Sequence, residues 1–188
     1  MDNIKEASHH TGGPPHLNDH DVIDALRAAH RHQSQLLILA DQKANILVGI
    51  LAVILTIIFT KADNLLEISD TYLIPLACFV AMEVTALVLA LLVIMPKTIG
   101  RPHADSMENI PNPLFFGFFT AFSENEYLDY LSTRLNDNSS ARRFLAKDLY
   151  QGGSVLRKKY VLLKYTYLLA VAGVALLAFS SVLFLFIR

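Results

Sequence analysis

Between Leu36 and Thr60 the chain reads LLILADQKANILVGILAVILTIIFT, a stretch that few folds can accept. Its second half, Ala44 to Thr60, is an uncharged apolar run. That length crosses most of a hydrocarbon layer about 30 Å thick. The first half carries Asp41 and Lys43 just before the run. A charge at the bilayer midplane costs roughly 2.5–3.5 kcal/mol on insertion scales, so the membrane surface is expected close to Lys43. Nothing interrupts the helical pattern from Asp21 to Thr60. At 1.5 Å per residue one helix of roughly 60 Å covers it, half outside the bilayer and half within.

The composition agrees with a chain that largely faces lipid. Of 188 residues, 53% are hydrophobic, in the length of one modest domain. A net charge of -1 gives no reason to expect a nucleic-acid polymer as partner. The single cysteine, Cys78, lies in an apolar run, which excludes a disulfide framework and a cysteine-based metal site. No secretory signal is expected, because polar, His-rich sequence precedes a first apolar run that begins too far in.

Residues 1–18 contain Gly12-Gly13-Pro14-Pro15 and read as a flexible tail. The tail holds His9, His10 and His16, with His20, His30 and His32 beyond it. Imidazole suits zinc, copper and nickel, but the Gly-Pro break divides the cluster and no carboxylate or thiolate spacing completes it. No metal is expected. Asn18 or Asp19 can cap a helix starting near Asp21 and running to residue 60. Its stripe is Val22, Leu26, Ala29, Gln33, Leu37 and Ala40, thin enough to need a partner.

A second apolar run follows from Tyr72 to Met95, with Pro75 in its first turn and Pro96 at its end. Glu83 stands near its middle, and an intramembrane acid is by default a functional candidate. The plainer reading is a neutral acid hydrogen-bonded to a neighbouring helix through Thr56 or Ser180; the sharper one is a role in conduction. Residues 97–164 form the longest polar segment. Within it, PLFFGFFTAF (113–122) is too short to cross and is expected to be buried or interfacial. Ser123-Glu124-Asn125-Glu126 has the form of a capping box. After a break at 136–140, with Ser140 as a possible cap, a final helix leads into a third span over 165–187. Its polar half carries the stripe Leu145, Leu149, Gly152, Leu156, Tyr160 and Leu163. The Gly152-Gly153 pair costs about 1 kcal/mol per glycine relative to alanine, which close approach of another helix backbone, or a hinge, would justify.

The fold class is therefore all-α, with three transmembrane helices. A small cytoplasmic helical region is built from extended first and third helices and the segment between spans two and three. Arg27, Arg31, Lys43, Lys97, Arg101, Arg157, Lys158, Lys159 and Lys164 lie on one side, against Lys61 and Arg188 on the other. Positive charge marks the cytoplasmic side, so the N-terminus is expected inside and the C-terminus in the periplasm.

Three stretches carry a resemblance: ADQKANILVGI (40–50), NPLFFG (112–117) and VLRKKYVLLKY (155–165). Together they resemble the Pycsar effector transmembrane family of bacterial anti-phage defence, over roughly residues 30 to 187. The resemblance implies an inner-membrane effector that senses a cyclic pyrimidine mononucleotide made by a partner cyclase. It implies that the effector then impairs the membrane, causing abortive infection. The nucleotide is an activating ligand and no resident cofactor is implied.

Such a ligand needs a cation for its phosphate, an aromatic surface for its base and a polar group for the base edge. Arg142, Arg143 and Lys147 stand beside Ser139-Ser140 at a helix start, where phosphate is favoured. Phe115, Phe116, Tyr127 and Tyr130 can stack a pyrimidine, and Asn112 can read its edge. The plainer reading makes the arginines a solvated face and the phenylalanines packing anchors. Asp41 and Lys43, with Lys158 and Lys159, are candidates for coupling the sensor to the spans. Structurally, Lys43 would snorkel and Asp41 would pair with Arg157, Lys158 or Lys159. No catalytic constellation is visible, so no enzyme is expected. Rival functions are a passive anchor for a partner enzyme and a small channel or transporter subunit centred on Glu83. A homo-oligomer is expected.

Overall fold

The computed structural model describes residues 19–61, 70–95 and 106–187. The tail histidines His9, His10 and His16, the cap Asn18, and Pro96, Lys97, Arg101 and Arg188 lie outside the described residues. Of the described residues, 89% are helical and none is in a strand. Its helices are α1 (Asp19–Thr60), α2 (Asp70–Ile94), α3 (Phe116–Phe119), α4 (Glu124–Arg134) and α5 (Asn138–Ile187), with a 3-10 turn at Met107–Asn109. Three of them, α1, α2 and α5, are long and apolar enough to cross a membrane.

These three pack against one another as a bundle. Ala44, Val93 and Leu163 form one buried cluster. Leu47, Leu51 and Ala86 form the next, with Leu169 and Ala170 against it. Numbers rise together on α1 and α5 while they fall on α2, so α1 and α5 are parallel and α2 is antiparallel to both. The seam is rich in small side chains: Ala40, Ala44, Ala86 and Ala90 are all fully buried. Inside a bilayer, helices gain little from apolar burial and associate through close packing, which small residues permit.

Above Ala44 the same two helices continue as a polar arm, and their pairing keeps one register. The partners His30 and Asp148, and likewise Asp41 and Lys159, are 118 residues apart. Gln33 meets Gly152, and Ala44 meets Leu163, at 119. The 50-residue α5 runs through Gly152-Gly153 as one helix. A Cβ at Gly152 would collide with Gln33 Nε2. The close approach expected at this glycine is therefore real, but it admits the Gln33 amide and not a backbone.

The caps also differ in part from expectation. Ser123 and Glu126 form the capping box of α4. For α5 the cap is Asp137 instead of Ser140: its Oδ1 accepts from Ser139 N at 3.1 Å, and its carbonyl from Ala141 N at 3.2 Å. A carboxylate is the stronger acceptor for backbone donors at a positive helix end.

Candidate functional site: a cleft on the α1–α5 arm

The i, i+3, i+4 spacing of Arg27, His30 and Arg31 places all three on one face of α1. Opposite stand Leu145 and Asp148 of α5, and Leu114 closes one end. They enclose an open cleft of about 550 Å³, within the usual range for small-molecule sites of about 300–1,000 Å³. Asp148 is its fixed point. Its side chain is 18% exposed, and Oδ2 lies 2.8 Å from His30 Nε2. Asn112 Nδ2 donates to Asp148 Oδ1 at 2.8 Å, and Asn112 Oδ1 accepts from Leu114 N at 3.0 Å. One buried amide thus holds both the carboxylate and the loop that bears Leu114. Arg27 touches Asp24 at 3.4 Å, with both side chains mostly exposed. That pair is too weak to hold the guanidinium away from a ligand.

In chemical terms, the cleft offers two guanidinium groups, an oriented carboxylate, an imidazole and two leucines. Guanidinium groups suit phosphate bidentately. A carboxylate accepts from an exocyclic amine, an imide N–H or a hydroxyl.

Of the residues named from sequence, Asn112 lies beneath this cleft, and Arg142 is half-buried one turn before Leu145 on the same helix. Arg142 contributes to holding the Asp137 carboxyl below its usual range; hydrogen bonds from Ser139 are the larger cause. Arg143 and Lys147 are exposed and do not line the cleft. Phe116 is 69% exposed and packs on Phe115, and Tyr127 is stacked on Phe119 at 4.6 Å. The sequence reading missed Arg27, His30, Arg31 and Asp148 as a group. The signal in the sequence is the i, i+3, i+4 spacing of Arg27, His30 and Arg31.

At the edge of the apolar half, Lys159 Nζ donates to Asp41 Oδ1, so Lys159 is the partner among the three expected cations. Lys43 lies over the Tyr160 ring, 5.9 Å from its centroid. Lys158 is exposed beside Ser154 and Arg157, along another open groove. Deeper in, Glu83 is fully buried, and neither carboxylate oxygen has a hydrogen-bond partner among the described residues. The expected bond to Thr56 or Ser180 is not made. Those hydroxyls donate to Ala52 O and Leu176 O, four residues back on their own helices.

No curated protein and no solved structure matches the chain. A family model described as the Pycsar effector protein domain matches residues 24–187, a span that holds the cleft, the Asp41–Lys159 pair and the three apolar helices. On that match, and on the three-helix membrane architecture that agrees with it, the chain belongs to the Pycsar effector family and is a membrane protein of anti-phage defence.

Proposed function

We propose that this effector senses a cyclic pyrimidine mononucleotide, cyclic CMP or cyclic UMP, in the α1–α5 cleft and responds by impairing the bacterial inner membrane, which halts an infected cell. A partner cyclase supplies the ligand. One observation carries the reading: the cleft lies between the two helices that continue without a break into the bilayer. Arg27 and Arg31 hold the phosphate, Asp148 accepts from the base edge or a ribose hydroxyl, and Leu114 and Leu145 shed water from the base. Any change in the cleft moves two spans directly, through the Asp41–Lys159 pair at the membrane surface.

Orientation follows from charge. Arg27, Arg31, Lys43 and the 157–159 run are gathered at the cleft end, against Lys61 at the other. Positive residues stay on the cytoplasmic side, where the nucleotide is made. A reporter inserted near Asn138 is therefore expected in the cytoplasm and one fused after Ile187 in the periplasm; finding both on one side removes the three-span topology.

Titration of cyclic CMP and cyclic UMP into the detergent-solubilised protein tests the cleft. Arg27→Ala and Arg31→Ala should each weaken binding about tenfold to a hundredfold, as expected for loss of a charge-assisted bond worth about 1.5–3 kcal/mol. Asp41→Ala should bind as wild type and insert normally, yet no longer depolarise cells when nucleotide is supplied. Unchanged affinity in the double arginine variant would take the ligand out of the cleft. Depolarisation on expression alone, indifferent to nucleotide, would favour a constitutive channel.

A further inference from the structure

The groove beside Lys158, of about 560 Å³, opens along α5 where its polar arm becomes a membrane span. Ser154, Arg157, Lys158, Val161 and Leu162 line it. Their i, i+3, i+4, i+7, i+8 spacing puts all five on one face of the helix. That face changes character along its length: a hydroxyl and two cations come first, then two aliphatic side chains. The change falls at the edge of the apolar half. Lys159, next to Lys158, is the residue that meets Asp41, and Leu162 packs against the Ala44–Val93–Leu163 cluster.

The polar end of the groove is short of partners. Arg157 and Lys158 are exposed, and neither meets an acid or a ring among the described residues. Lys159, by contrast, is taken by Asp41, and Lys43 by the Tyr160 ring. Ser34, Thr56, Thr85, Thr166 and Ser180 donate to carbonyls four residues back on their own helices. Ser154 is half-buried, yet its hydroxyl makes no hydrogen bond among the described residues. Depth matters as much. Ala44 stands beside Leu163, so Lys43, where the uncharged run begins, is level with Leu162. At 1.5 Å per residue, Arg157 and Lys158 lie about 6–8 Å further out. A headgroup layer is about 5–8 Å thick on each side of the hydrocarbon. Helical side chains lean toward the N-terminus, so both cations reach up toward Ser154, one turn above.

We propose that this groove holds one anionic phospholipid from the leaflet on the cleft side. Its phosphate sits among Arg157, Lys158 and the Ser154 hydroxyl, and an acyl chain lies along Val161 and Leu162. A guanidinium grips phosphate bidentately, an ammonium adds a point charge, and a hydroxyl donates one more hydrogen bond. Two cations with no acid beside them favour a headgroup of net negative charge over a zwitterionic one, whose ammonium they repel. Such a lipid fixes the depth of α5 where the arm enters the bilayer. The site shares no residue with the nucleotide cleft and does not depend on which nucleotide binds there.

Native mass spectrometry of the full chain in detergent, given phosphatidylglycerol or phosphatidylcholine, tests the site. One phosphatidylglycerol per chain should be retained, and phosphatidylcholine should not. Arg157→Ala with Lys158→Ala should weaken retention about thirtyfold, the effect of two basic residues at an anionic surface. Ser154→Ala should weaken it about fivefold, the effect of one hydrogen bond. Arg143→Ala with Lys147→Ala removes the same charge from an exposed face, more than about 20 Å above Leu162, and should retain lipid as wild type does. Equal loss in the two double variants would reduce the groove to general charge attraction and overturn the site, as would equal retention of phosphatidylcholine. Cyclic CMP and glycerol 3-phosphate carry a phosphate without acyl chains, so neither should displace the lipid. Displacement by either would assign the groove to a free phosphate instead. Arg27→Ala with Arg31→Ala, expected to empty the nucleotide cleft, should leave lipid retention unchanged, so each site can fail without the other.

Discussion

Glu83 and Gly173 depend on each other, and neither is intelligible alone. The carboxyl is buried without a partner, and the glycine opposite leaves the room it occupies. Gly173→Ala places a methyl 2.8 Å from Glu83 Oε1 and 3.4 Å from the Phe79 ring. Overpacking of this kind costs about 1–3 kcal/mol. Shortening Glu83 to alanine should recover most of that loss, so a thermal-unfolding cycle of Gly173→Ala and Glu83→Ala is expected to show coupling of about 1–3 kcal/mol. Additive losses would separate the two residues. At Gly152 the neighbour is the far end of Gln33, a flexible side chain, and Gly152→Ala should be nearly neutral. The sequence marked Glu83 as out of place but gave no means of pairing it. Thr56 and Ser180 are plausible donors on paper, and only the helix geometry shows both already bonded within their own turns.

Among the elements, α5 was the most legible. Leu145, Leu149, Gly152, Leu156, Tyr160 and Leu163, one stripe at helical spacing, are all half-buried or buried. A helix that packs along its whole length writes its period into its sequence. The cleft was not legible, because its two walls come from α1 and α5, 118 residues apart at His30 and Asp148, and no local pattern predicts that pairing. The aromatic segment misled for a related reason. Rings able to stack a base also stack one another, as Tyr127 does on Phe119. Helix α4 buries no residue and opens on the Ser123–Glu126 capping box. Hydrogen bonds from the Ser123 hydroxyl, then from its backbone N–H, keep the Glu126 carboxyl below the usual value of 4.5. A carboxyl whose folded pKa is depressed adds stability above its unfolded value and loses it as pH falls through the folded one. Hydrogen exchange over Glu124–Arg134 should therefore quicken as pH drops below about 4.5, after correction for intrinsic rates. Ser123→Ala should fray α4 at neutral pH and abolish that dependence; an unchanged profile would mean that other contacts hold the helix.

For the molecule as a whole, the question is how an event in the cleft reaches the bilayer. Driving a closed state from 1:99 to 99:1 requires a ligand preference of about 5.5 kcal/mol. Several cleft ligands acting on one assembly reach that figure more readily than a single small ligand. The constant register of α1 against α5 says what kind of motion is available. From His30–Asp148 to Ala44–Leu163 the offset changes by no more than one residue, so the helices interlock like matched teeth. Shear between them would have to break every tooth at once, whereas tilting or turning the pair about the membrane surface breaks none. Welding them should then do no harm. A disulfide joining Gln33→Cys to Gly152→Cys, on a Cys78→Ala background, should leave nucleotide-triggered depolarisation intact when oxidised. A response lost on oxidation and regained on reduction would mean that the two helices slide, and that the signal is a displacement between them.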